Sequence, residues 1–150
     1  MINQKMGKAW VLVVLVSAFM AMLAPTMSQA SNSSSLRKLN TVKRYIQSRG
    51  NGAGCRRYSR GRYLRQGRSY SRRTKLYAGN EYVIIAAGDS RVSDLDIYLY
   101  NGRGRRVARD ILTDSKPIVR FSPRQTGYYR VKVKMYSGHG HSNFMVCYID

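Results

Sequence analysis

Carboxylates are scarce in this sequence: seven Asp and Glu stand against 27 Lys and Arg in 150 residues. A calcium shell of roughly six to eight oxygens would have to draw on most of that acidic complement. Histidine is confined to His139 and His141, whereas protein zinc sites use about three or four side-chain ligands. The S-G-H-G-H-S stretch therefore reads as an exposed glycine loop. There is no G-x-S-x-G elbow to hold a serine nucleophile. Cys55 as a nucleophile would have to borrow His139 or His141, and it lacks any flanking pattern of that kind. Paired carboxylates for glycoside hydrolysis would need a substrate groove, to which no aromatic context points. Beyond the first thirty residues no apolar run is long enough to span a bilayer. These absences argue against an enzyme, and leave calcium as the one cofactor to weigh.

What is present begins with a leader. Lys5 and Lys8 precede the apolar run Ala9–Ala24, and Pro25 leads into S-Q-A at 28–30. That is the three-part pattern of a secretory signal peptide, so residues 1–30 are expected to be removed after Ala30 and residues 31–150 to be secreted or periplasmic. The remainder fits one domain with one core. Two of the 27 basic residues fall in the leader, which leaves 25 against 7 and a formal charge of +18. Such a field concentrates polyanions near the surface without dictating a fold; the plainer alternative is charge that serves solubility.

Cys55 and Cys147 are the only cysteines, and an oxidising compartment favours their pairing. The bridge would span 92 residues, worth on the order of 4 kcal/mol in the chain-entropy picture.

Residues 31–35, S-N-S-S-S, read as a polar lead. From Leu36 to Ser48 the apolar positions Leu36, Leu39, Val42, Tyr45 and Ile46 recur at helical steps, with Arg37, Lys38, Lys43 and Arg44 on other faces. This predicts a short amphipathic helix, entered from a serine cap and ended near Gly50. A basic helix of this kind can lie on an anionic membrane, but so short a stripe suits packing on its own domain better.

Between Arg37 and Lys75 there are 14 basic residues and no acidic one, with Tyr58, Tyr63 and Tyr70 interleaved. Arginines among aromatics are what a phosphate-tracking, base-stacking surface needs. The candidate binding set is Arg56, Arg57, Arg60, Arg62, Arg65, Arg68, Arg72 and Arg73 with Tyr58 and Tyr63, joined by Lys132 and Lys134 from a later strand. The competing reading is a solvated basic edge that discourages strand-to-strand aggregation.

From Leu76 the pattern is β. E-Y-V-I-I-A-A (81–87) reads as a buried strand. In D-L-D-I-Y-L-Y, Leu95, Ile97 and Leu99 alternate with Asp96, Tyr98 and Tyr100, and N-G-R-G at 101–104 is a hairpin signal. Tyr129, Val131, Val133 and Met135 alternate with Arg130, Lys132 and Lys134, and N-F-M-V-C-Y-I closes the chain. Short strands at near-regular spacing predict an all-β antiparallel sandwich, jelly-roll-like, of about seven or eight strands, behind the short N-terminal helix.

L-Y-A-G-N-E-Y-V-I-I-A-A-G-D, S-D-L-D-I-Y-L-Y-N-G-R-G-R-R-V-A-R-D and P-I-V-R-F-S-P-R-Q-T-G-Y-Y-R-V-K-V, taken in that order, resemble the bacterial pre-peptidase C-terminal domain, over roughly residues 61–150. The chain is also similar to small secreted bacterial proteins that carry this domain without a peptidase. The resemblance implies a non-catalytic sandwich module, binding calcium in some members and extracellular polymers in others. The surface here is far more basic than is usual for that family.

Asp89, Asp94, Asp96, Asp110 and Asp114 are the acidic residues available to a metal. The hairpin could bring Asp110 beside Asp94 and Asp96, the set for a calcium site. The preferred reading is structural: Asp94 accepts loop N–H groups and Asp96 pairs with an arginine such as Arg106, since no spacing matches a known calcium loop. The expected function is an exported binding module for an anionic surface or polymer, whether envelope glycan, lipopolysaccharide or nucleic acid. The alternatives are an accessory domain for a secreted protein partner and, less favoured, a metal-dependent hydrolase.

Overall fold

The computed structural model describes residues 27–49, 54–57 and 61–149. Most of the leader, Tyr58 and Arg60 lie outside the described residues. Among the described residues one helix, α1 (Met27–Arg49), precedes nine strands: β1 (Gly54–Arg57), β2 (Arg62–Leu64), β3 (Ser69–Leu76), β4 (Glu81–Gly88), β5 (Val92–Tyr100), β6 (Arg106–Asp110), β7 (Ile118–Phe121), β8 (Gly127–Gly138) and β9 (Gly140–Ile149).

The strands form two antiparallel sheets. The first runs β1-β9-β4-β7, with β2 also on β9, and the second runs β3-β8-β5-β6. Strands β1 and β2 lie along the same edge of β9, one against residues 145–148 and the other against 140–142. They act as one interrupted strand. Counted that way the order is that of an eight-stranded jelly roll, in which every connection except β5 to β6 crosses between sheets. The predicted sandwich is thus observed, and the count reaches nine among the described residues because β1 and β2 are separate strands on one edge of β9.

The alternation read from the sequence is the alternation that packs. Leu95, Ile97 and Leu99 of β5 meet Val131, Val133 and Met135 of β8, and Ile84, Ala86, Phe144 and Val146 of the first sheet, in one core. Strand β4 does not alternate, for a physical reason: Tyr82, Ile84 and Ala86 face the sandwich core while Val83, Ile85 and Ala87 face α1, so both sides are buried. Leu39 and Ile46 of α1 join Met145 and Cys147 in that second cluster. The helix therefore covers the outer face of the first sheet, and among the described residues no element covers that of the second.

Two helix expectations need correction. The helix starts at Met27, not at a serine cap before Leu36, so residues 31–35 are helical. Their partner explains it: buried Asn143 donates through Nδ2 to Asn32 Oδ1 at 2.9 Å and to Ser35 Oγ at 2.7 Å. A buried amide of β9 thus supplies the tertiary anchor that a Ser/Asn run lacks on its own, overriding its weak helix propensity. Tyr45 does not join the apolar stripe; it is 59 % exposed, with the Arg49 guanidinium over its ring.

The disulfide is present. Cys55 and Cys147 are direct partners across β1 and β9, their Cα atoms 4.0 Å apart. Among the described residues no helix is long and apolar enough to cross a membrane.

Candidate functional site

The carboxylates build loops. Asp110 accepts the N–H groups of Leu112 through Oδ1 and Ile118 through Oδ2, at 3.0 and 2.8 Å. Asp114 accepts that of Lys116 at 2.6 Å. Asp89, fully buried, accepts from the Arg91 N–H at 3.0 Å and the His141 N–H at 2.9 Å, and its Oδ2 lies 3.2 Å from Arg91 Nη2. Gly140 is required there, because it has φ +149° and a Cβ would strike the Asp89 carboxylate. His139 and His141 accordingly do not sit in a loose loop. They flank Gly140 at a tight β8–β9 junction, with His141 edge-on to the Tyr63 ring at 5.4 Å.

Asp94 and Asp96 are both buried at the start of β5. Asp96 Oδ2 accepts from the Tyr98 hydroxyl at 2.8 Å, not from Arg106, whose guanidinium instead lies 6.0 Å from the centre of the Tyr98 ring. Burial, then the hydrogen bond to Asp96, push the Tyr98 hydroxyl up to about 12. Asp94 is raised above the usual carboxylate range, first by burial and then by the charge of Asp96, while a backbone hydrogen bond from Asp114 opposes the shift. Its Oδ1 has no partner among the described residues. Asp96, Asp114 and Asp110 lie close enough for their charges to act on Asp94, but among the described residues no group of three or more His, Cys, Asp or Glu is placed to hold a metal.

The basic candidates divide in two. Arg56 and Arg62 are exposed on β1 and β2, the broken edge strand of the first sheet. Arg57 follows on β1, and Arg65 and Arg68 occupy the turn into β3. Tyr63 lies beside His141 with Arg91 over its ring. Arg72 and Arg73 part company, since successive residues of a strand face opposite ways. Arg72 is in register with core residue Val131, whereas Arg73 is in register with Arg130 on the uncovered face of the second sheet.

That face carries the densest set of cations. Register places Ser71, Lys132, Tyr98 and Arg109 in one row, and Arg73, Arg130, Tyr100 and Arg106 in the next, with Lys75 opposite Tyr128 beyond them. Tyrosine rings carry the cations. Arg73 lies 4.8 Å above Tyr128, Arg130 4.9 Å above Tyr100 and Lys134 5.2 Å from the centre of Tyr136. Each such contact is worth about 0.5–1 kcal/mol at an exposed site, enough to bias the rotamers of a long side chain. None of these cations forms an ion pair among the described residues. The sequence reading included Arg73, Lys132 and Lys134 but missed Arg130, Arg106, Arg109 and Lys75. The period-two alternation could have found Arg130; the others need the strand order.

No family model matches the chain and no curated protein is significantly similar to it, so the likeness to the pre-peptidase C-terminal domain rests on its motifs.

Proposed function

We propose that this protein is an exported, non-catalytic jelly-roll module that binds an anionic polymer on the uncovered face of its second sheet. The observation that carries the reading is the grid of cations held over tyrosine rings, none of them in an ion pair among the described residues. Ordering such side chains in advance lowers the entropy lost on binding, which otherwise runs at about 0.5–1.5 kcal/mol per immobilised side chain. The one carboxylate in the grid, Asp96, is buried and engaged by Tyr98. The tyrosines serve as platforms for cations, which suits ligands read through their phosphate, sulfate or carboxylate groups. The motif resemblance to secreted sandwich modules that bind extracellular polymers points the same way.

The test is binding to immobilised heparin across a salt series, with Arg73, Arg130 and Lys132 replaced together by Ala and, separately, Arg56 and Arg62. A face making six or more anion contacts loses roughly a thousand-fold in affinity between about 50 and 200 mM salt. The triple replacement should flatten that slope and the edge replacement should change it little. Salt-insensitive binding, or equal binding by the triple variant, would turn the search to a protein partner.

A further inference from the structure

We propose that the depression at one end of this face is a subsite for an acidic sugar residue, a pyranose bearing a carboxylate or a phosphate. The inference rests on the polymer-binding reading and narrows its ligand to an acidic glycan.

The depression lies between the β5–β6 hairpin and the turn that joins β7 to β8, and has a volume of about 560 Å³, within the range of small-molecule sites. Arg103 enters from the hairpin and Arg124 from the turn, and no carboxylate lines the space between them. Neither arginine has an ion-pair partner among the described residues. Two arginines lining a cavity that holds no acid among the described residues can form a receptor for one anionic group, matched by the planar fork of donors each carries.

The rest of the lining suits a sugar. Ser122 and Gln125 also line the space, and their side chains carry the donors and acceptors that match ring hydroxyls. Phe121 and Tyr129, packed edge to face at 5.4 Å, make an apolar floor. The two rings are inclined at 62° and so present no flat slot for a base. One side of the Tyr128 ring is taken by Arg73.

The frame around these groups is fixed. The Tyr129 hydroxyl donates to the Gln125 carbonyl at 3.0 Å, and the Ala78 N–H donates to Thr126 Oγ1 at 3.0 Å. Asn101 Oδ1 accepts the N–H groups of Arg103 and Arg105, which closes the hairpin that presents Arg103. Tyr128 belongs to both the depression and the cation grid, so a chain lying on the face can end or branch into the subsite.

Calorimetric titration of the protein with trigalacturonic acid and with mannose 6-phosphate tests this. The Arg103→Ala/Arg124→Ala variant should bind the better of the two at least about tenfold more weakly, with melting temperature unchanged because both side chains are exposed. Its heparin affinity should fall less than that of the Arg73, Arg130 and Lys132 replacement. Whichever probe binds more tightly identifies the anion. The subsite is overturned if neither probe binds or if the double variant binds like the parent, and its sugar specificity is overturned if trithymidylate binds as tightly. Failure of the polymer reading would register separately, as heparin binding that the face replacement leaves intact.

Discussion

Arg130 and Tyr100 are partners across β8 and β5, and the guanidinium carbon of one stands 4.9 Å from the ring centre of the other. The pair couples sheet register to the display of charge: only while β5 and β8 keep this alignment does the ring lie beneath the cation.

Replacement of Tyr100 by Leu should therefore weaken heparin binding by about two- to fivefold, the equivalent of one exposed cation–ring contact. Tyr100→Phe keeps the ring and should keep the affinity. Equal losses in both variants would assign the role to the hydroxyl instead of the ring.

The anchor between helix and sheet should appear as a stability effect. Asn143→Leu leaves Asn32 Oδ1 and Ser35 Oγ without their donor and should cost about 1–3 kcal/mol in urea unfolding. Helical circular dichroism should drop as residues 27–35 detach. A double-mutant cycle with Ser35→Ala should show coupling between the two positions; additive effects would mean that the helix docks without this anchor, through contacts such as Leu39, Ile46 and the Lys38 bond to the Gly88 carbonyl.

Asp94 imposes a pH dependence of a definite sign. Its folded-state carboxyl is raised above the ordinary value of 3.8, so between that value and the raised one the native state holds more protons than the unfolded chain. Stability should then fall as pH rises through this window and recover as pH is lowered through it. Asp94→Asn should remove that dependence and be at least as stable as the parent at neutral pH, as read from melting temperatures between about pH 4 and 7. An unchanged profile in the variant would place the titration elsewhere.

Conversion of both Cys55 and Cys147 to Ser should lower unfolding stability on the order of 4 kcal/mol, with reductant producing the same loss in the parent. The heparin affinity of whatever remains folded should be preserved, since β1 and the cation grid lie on different sheets.

Leu95, Ile97 and Leu99 were legible as a core face because strand periodicity depends only on near neighbours, and the hairpin at Asn101 was legible because its turn chemistry is local. The helix start was not, because Asn32 and Ser35 become helical through an amide more than a hundred residues away. The site was half legible for the same reason. Lys132 and Lys134 fall on one face by alternation, but their company with Arg73, Arg106 and Arg109 follows from the order β3-β8-β5-β6, which no local pattern encodes. Consecutive residues such as Arg72 and Arg73 leave a strand on opposite sides, so the arginine-rich stretch does not all share one face.

The covalent link between the first strand and the last closes residues 55–147 into a ring that holds almost the whole sandwich. A protease that cuts once inside this ring releases no fragment: the two new ends stay tethered through the sulfur bridge, and the nicked strand can still pair in place. In surroundings rich in hydrolytic enzymes, the module would need two cuts, or a cut and a reductant, before any part of its charged face could be carried away.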